Sequence, residues 1–461
     1  MHEPLAVELQ PGKVLQDRFD QGAQVGALAR QQFPDGVLIL PAADDERLET
    51  TRQAIEGGAS TIFEGSFFAD NTFVSCDILL RESDGWRMIE VKSSNSAKEE
   101  HHLDAAIQTH VLERCGLKVA AVEIMHLNKE CRFPDLTNLF ERTVVTDEVR
   151  ALLPNIHNEI EAQLAMLRGP LPDVPIGLRC SEPYDCAFQE RCWPDDPDHI
   201  SNLYLIGRKT RFQQNIDAGI HRISEIPPTK RLSDTAKRQI RSMKEQRMIV
   251  EPNLARALEP FDVRLGFLDF ETIVRAVPVW PGMNPWDQAA AQFSYHEANG
   301  DGTYTHAQFL AEGPHDARPL LTERMLEATA RADRIVTYSG FEKTRIRGLQ
   351  DVVPSLRTEL IELENKLIDL LPVLRDHVYH PEFHGSFSIK RVLTPLVPDL
   401  TYSDLVIVDG LVASVEIARL LFVAGKIPPD EVPRVRQDLL NYCERDTWAM
   451  VKLLDKLRTL A

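Results

Sequence analysis

Residues 263–273 read VRLGFLDFETI, an apolar strand carrying two acids. Asp269 and Glu271 alternate along it, so both leave the same face. Carboxylates on so apolar a strand are costly to bury unless they are paired or bound to a metal. Downstream, AAAQFSYHEA (289–298), a turn at NGDG and TYTHAQFLAE (303–312) predict two more strands of an antiparallel meander. A helix over ARPLLTERMLEATARA (317–332) and a strand in RIVTYSG (334–340) follow, and Glu342 stands just past that strand. Near the end, LLNYCERDTWAMVKLLDKL (439–457) predicts a helix on which Tyr442 and Asp446, four apart, share one face.

Strand, strand, strand, helix, strand is the opening order of an RNase H-like fold. The placing of the acids resembles the DnaQ-like (DEDD) exonucleases: D-x-E on the first strand, an acid after the fourth, Y-x-x-x-D on the last helix. That resemblance implies 3′–5′ exonuclease chemistry. Asp269, Glu271, Glu342 and Asp446 would hold two Mg²⁺ or Mn²⁺ ions about 4 Å apart, and Tyr442 would position the attacking water. Glu342 stands where most of the family has Asp, and Asp369 in NKLIDLLPVL is the substitute candidate. HGSFSIKRVL (384–393) offers Lys390, with Ser386 and Ser388, as phosphate contacts; a plain helix start with a serine cap fits equally well.

In the N-terminal third, TFVSCDILLRESDGWRMIEVKSS (72–94) predicts a hairpin turning at ESDG. Asp77 lies on its first strand. Glu90 and Lys92, two apart, face one side of the second. Asp77 and Glu90, with the Val91 carbonyl, can hold Mg²⁺ or Mn²⁺. Lys92 can orient or help deprotonate a water and offset charge on a phosphate. The competing reading is a surface salt-bridge cluster. DAAIQTHVL (104–112) follows as an amphipathic helix carrying Gln108. Over roughly residues 55–195 the chain resembles the PD-(D/E)XK nucleases, in particular their RecB-like, CRISPR-associated branch. Leu112 stands where that family's helical motif has Tyr, and Glu64 in TIFEGSFF (61–68) is a further carboxylate candidate.

CSEPYDCAFQERCW (180–193) spaces Cys180, Cys186 and Cys192 evenly, five residues apart. The resemblance implies that they are three ligands of a [4Fe–4S] cluster, which would tie the start of the nuclease domain to its end. The fourth cysteine of that pattern lies near the start in relatives. Here none precedes Cys76, itself expected to be a core residue, so the fourth ligand is expected upstream of this sequence. Three unlinked structural cysteines, or zinc held with a histidine, are the alternatives.

The 461 residues are 43% hydrophobic and 26% charged, an ordinary globular composition with room for two or three domains. MHEPLAVELQPGK, acidic and broken by proline, does not resemble a signal peptide. No apolar run reaches the roughly 18 residues of a membrane span. The expectation is a soluble, cytoplasmic protein with no membrane partner. The net charge of −18 argues against a protein that coats nucleic acid. Residues 207–247 run the other way, with eleven Lys or Arg against four Asp or Glu. Arg208, Lys209 and Arg211 are the candidate phosphate contacts there; a solvated helical surface is the plainer reading.

The expected architecture is α/β. A PD-(D/E)XK restriction-endonuclease-like domain (1–200) is followed by a basic helical linker (201–258) and an RNase H-like mixed-sheet domain (259–461). The whole resembles bacterial fusions of RecB-like and RNase H-like domains, which implies a metal-dependent nuclease acting on DNA or RNA. The alternative is a nucleic-acid-binding scaffold in which one or both centres are inactive.

Overall fold

The computed structural model describes residues 5–205, 211–227, 232–423 and 425–461. It is an α/β structure with two mixed sheets, and the chain divides into two compact units. The first holds residues 1–175 and 275–287; the second holds 176–274 and 288–461. Among the described residues no helix is long and apolar enough to cross a membrane.

The first unit is built on six strands in sequential order: β1 (Val37–Leu38), β2 (Thr61–Ala69), β3 (Thr72–Glu82), β4 (Gly85–Lys92), β5 (Val119–Leu127) and β6 (Phe140–Val144). The hairpin expected from TFVSCDILLRESDGWRMIEVKSS is the β3–β4 pair. β4 and β5 run parallel, which requires a crossover, and helix Glu99–Arg114 supplies it. Trp86, Met88, Val122 and Ile124 pack there with Ala105, Val111 and Leu112. Leu112, in place of the motif's Tyr, is fully buried core. The other face carries Ile78 and Ile89, covered by Ala29 of helix Lys13–Arg30. The excursion 275–287 joins this unit through Arg275, which pairs with Asp17 at 2.7 Å, and through the Ala276 N–H, which donates to Gln21.

The second unit contains β7 (Ile249–Val250), β8 (Leu265–Val274), β9 (Gln288–Ala298), β10 (Tyr304–Leu310), β11 (Arg334–Thr337), β12 (Leu367–Asp369) and β13 (Val378–Tyr379). Five of them form a sheet in the order β10-β9-β8-β11-β12. β8, β9 and β10 are antiparallel neighbours, and β11 and β12 add parallel to β8. The meander, helix and fourth strand read from the sequence are all present; the three-residue β12 was not foreseen. Gly266 is required where β8 meets β9, because a Cβ there would lie 2.1 Å from the Tyr295 hydroxyl. The terminal helix Val432–Leu460 buries Leu439, Tyr442, Cys443, Asp446, Met450, Leu453 and Leu457, a stripe at helical spacing. Its Asp446 is thereby carried inward along with the apolar residues.

Residues 176–258 cluster with this second unit. β7 pairs with β13. From helix Asp234–Glu245, Arg238 donates to the carbonyls of Arg375 and Asp376 and to Glu251. Arg241 also bonds Glu251, and Lys237 pairs with Asp234. Part of the local positive charge is therefore spent within the unit. Arg208 and Lys209 lie outside the described residues. Arg211 begins helix Arg211–Asp217, but its side chain is outside the description.

Candidate functional site

The second unit gathers acids from distant parts of the chain. Asp269 and Glu271 come from β8 and Asp446 from the terminal helix, and one oxygen of each lies within 4.8 Å of the others. Glu342, in the first turn of helix Phe341–Val352, reaches Asp269 through a side-chain hydrogen bond. Its Oε2 is buried with no partner. Asp369 does not take that place. It caps helix Leu370–His377, accepting from the Leu371 N–H at 2.9 Å and from the Ser339 N–H at 3.0 Å.

The electrostatics follow from this crowding. Burial, then the charge of Asp446, pushes both Asp269 and Glu271 well above the usual carboxylate range. Burial raises Glu342 to about 8 and Asp446 to about 6. Ionised together in a low-dielectric site, such groups repel unless cations fill it. The lysine that opposes them is Lys390, in helix Ile389–Leu396, which draws the pKa of both Glu271 and Asp446 down. Its ammonium donates to the Tyr442 hydroxyl at 2.7 Å and lies 4.9 Å from that ring's centroid. Lys390 is thus part of the acidic centre itself. Burial, then Asp446, raises Tyr442 far above the ordinary phenol, so it stays protonated.

Three neighbours of this centre carried no sequence signal. Tyr402, in a loop without periodicity, donates its hydroxyl to Asp446. Cys443 Sγ lies 3.6 Å from Asp269 Oδ2. Gly410 opens helix Gly410–Phe422 beside the acids: a Cβ there would stand 3.7 Å from the Tyr442 hydroxyl and 3.8 Å from Glu271 Oε2.

The first unit brings together Asp77, Glu90, Lys92 and Gln108. β3 pairs with β4 only as far as Ile78↔Ile89, and the next ladder donor, the Val91 N–H, goes to Asp77 Oδ2 at 2.6 Å. Opposite Asp77 on β2, between the pairs Phe63↔Ile78 and Gly65↔Cys76, Glu64 adopts φ +57°. Glu64 is paired with Arg30 at 3.0 Å. Glu90 accepts from Lys92 at 2.9 Å and from Gln108 at 2.8 Å, so Lys92 and Glu90 do share a face. Lys92 also touches Asp104 at 2.6 Å, a partner the sequence reading passed over.

Burial, then the charge of Glu90, lifts Asp77 well above the carboxylate range, and burial raises Glu90. Burial alone would lower Lys92; Glu90 and Asp104 outweigh it and hold the ammonium charged. Lys92 is therefore held charged as a donor to Glu90 and Asp104.

Cys180, Cys186 and Cys192 are all free thiols, the last two exposed. Their loop is closed by the Cys186 N–H donating to the Cys180 carbonyl at 2.8 Å, and the Gln189 amide donates to Ser181 Oγ at 3.0 Å. Cys76 is fully buried, as expected of a core residue.

A family model described as a domain of unknown function, DUF2779, matches residues 266–388. That span includes Asp269, Glu271 and Glu342 and ends before Lys390, Tyr442 and Asp446. No curated protein matches the chain. Among solved structures, a family B DNA polymerase from the hyperthermophilic archaeon Pyrobaculum calidifontis is similar at 14% identity with a TM-score of 0.27. The likeness covers 42% of this chain and 24% of the polymerase, about a quarter of that protein's length.

Proposed function

We propose that this protein is a metal-dependent phosphodiester hydrolase acting on DNA or RNA. Its principal centre would be a DEDD-like 3′–5′ exonuclease site in the second unit, with a PD-(D/E)XK-like centre in the first. The observation that carries the reading is the meeting of Asp269, Glu271 and Asp446, with Glu342 bonded to Asp269 and Lys390 drawing the pKa of Glu271 and Asp446 down. The donor set fits hard divalent cations: it offers oxygen only, it is crowded enough to hold protons otherwise, and Glu342 Oε2 has no other partner. Mg²⁺ or Mn²⁺ held by these four acids would supply charge stabilisation for the phosphate and a more acidic water.

The chain's own groups do the rest. Tyr442 keeps its proton, so it orients a water or phosphate oxygen and does not act as a base. Lys390 fixes the Tyr442 hydroxyl and brings positive charge to the edge of the site. Tyr402 holds Asp446 in place. In the first centre, Asp77 and Glu90 would hold a cation, Gln108 would fix Glu90, and Lys92 would offset charge on a phosphate. Cys180, Cys186 and Cys192 would serve as three ligands of a [4Fe–4S] cluster. Arg208, Lys209 and Arg211 would track the nucleic-acid backbone.

The test is cleavage of end-labelled single-stranded and duplex DNA and RNA, with Mn²⁺ or with chelator. The expected result is Mn²⁺-dependent release of nucleotides from the 3′ end, lost in Asp269→Asn. Failure of every substrate with Mn²⁺, or equal release by Asp269→Asn, would remove the exonuclease reading.

A further inference from the structure

On the side of the terminal helix away from Asp446, two histidines and a glutamate meet. His296 on β9 and His306 on β10 are direct cross-strand partners, with rings stacked at 4.4 Å. Glu444 projects from the terminal helix, and one ligand atom from each of the three lies within 4.8 Å of the others. Residue 444 is about 200° around the helix from residues 442 and 446, so this group shares no ligand with the acidic centre.

One arrangement of protons satisfies all four hydrogen bonds around the two rings, and it sets where the lone pairs lie. Thr447 Oγ1 donates to the Glu444 carbonyl at 3.0 Å, which uses its one proton. It therefore accepts from His296 Nδ1 at 2.9 Å and from Ser294 Oγ at 2.8 Å. Ser294, its proton spent on Thr447, accepts from His306 Nε2 at 3.0 Å. Each imidazole thus has its N–H tied to a hydroxyl, which leaves a lone pair on His296 Nε2 and on His306 Nδ1. His306 Nδ1 stands 3.9 Å from Glu444 Oε1.

We propose that His296, His306 and Glu444 form a site for a divalent transition-metal ion of the zinc class. Two neutral imidazoles and a carboxylate are a ligand set for such ions, with a further position open to water. Hydroxyls that fix the outer nitrogen of each ring are the supporting shell that metal-bound histidines require. The carboxylate that faces His306 is that of Glu444, 3.9 Å away. Glu444 is about half exposed, so it has freedom to swing in and close the ligand distances to those of roughly 2 Å metal bonds. A second group, Asp70 with His110 and His157, lacks this logic, since Arg114 sits 3.2 Å from Asp70 and already neutralises it. A metal at the proposed site would pin β9 and β10 to the helix that carries Tyr442 and Asp446 on its other side.

The experiment is calorimetric titration of the full chain with Zn²⁺ in excess Mg²⁺, which occupies oxygen-only centres. His306→Gln and Glu444→Gln, both at partly exposed positions, should each bind one Zn²⁺ fewer per chain. His315→Gln, at an exposed histidine outside the group, should keep the parent stoichiometry. Unchanged stoichiometry in both site variants, or an equal loss in His315→Gln, overturns the proposal. Should His306→Gln fail to fold by circular dichroism, Glu444→Gln alone decides.

Discussion

In the first unit Lys92 touches both Glu90 and Asp104, Gln108 takes the other oxygen of Glu90, and the Val91 N–H donates to Asp77 Oδ2. In the second unit four acids face a lysine whose ammonium is bonded to a phenol. The first centre sets one lysine and two neutral donors against Asp77, Glu90 and Asp104, so each of its acids has a donor at hand. The second is left with a charge deficit that protons or cations must fill. The lesson is that an acidic motif alone does not set the demand for metal; the nearby donors do. On this account the second centre depends more steeply on divalent cations and on pH than the first.

The sharpest way to break the contrast is at Asp446. Asp446→Asn should cost several kcal/mol of transition-state stabilisation, roughly a thousandfold in Mn²⁺-dependent 3′-end cleavage. Steady-state rates on a labelled strand check it. Next in size is Lys92→Met, which leaves Glu90 buried with its charge partner removed. It should lower stability by ~1–3 kcal/mol, read by chemical denaturation without metal, and Lys390→Met should cost less because Tyr442 can turn to Asp446.

A third test uses pH. Glu342 at about 8 and Asp446 at about 6 sit above their ordinary values, so the metal-free native protein holds protons that the unfolded chain has released. That stabilising difference is complete below the ordinary carboxylate pKa and is lost as pH rises through about 6 and then about 8. Without metal the melting temperature should therefore fall over that window, as stability drops by roughly several kcal/mol. Glu342→Gln should flatten the upper part of the fall. The smallest expected effect is that of Tyr442→Phe: about tenfold slower cleavage with unchanged Mn²⁺ binding, since the phenol orients but holds no ion.

Much of this was legible in short-range pattern. Alternation put Asp269 and Glu271 on one face of β8, and an i, i+4 step put Tyr442 and Asp446 on one buried stripe. The E-x-K spacing placed Lys92 beside Glu90. What stayed hidden depends on contacts between segments far apart in the chain. Tyr402 meets Asp446 from an aperiodic loop, and Asp104 meets Lys92 from the next helix. β12 is three residues long and exists because β11 offers it a parallel edge. Within the basic run, Arg238 finds its acceptors, the carbonyls of Arg375 and Asp376, over a hundred residues away.

The central claim is that Asp269, Glu271, Glu342 and Asp446 form a cation site. It is tested most directly by the melting temperature with and without Mn²⁺, in the parent and in Asp269→Asn combined with Asp446→Asn. The account predicts a clear rise in the parent at pH 8 and loss of most of that rise in the double variant, which should itself melt higher than the parent without metal. An equal Mn²⁺ response in the two proteins would contradict it.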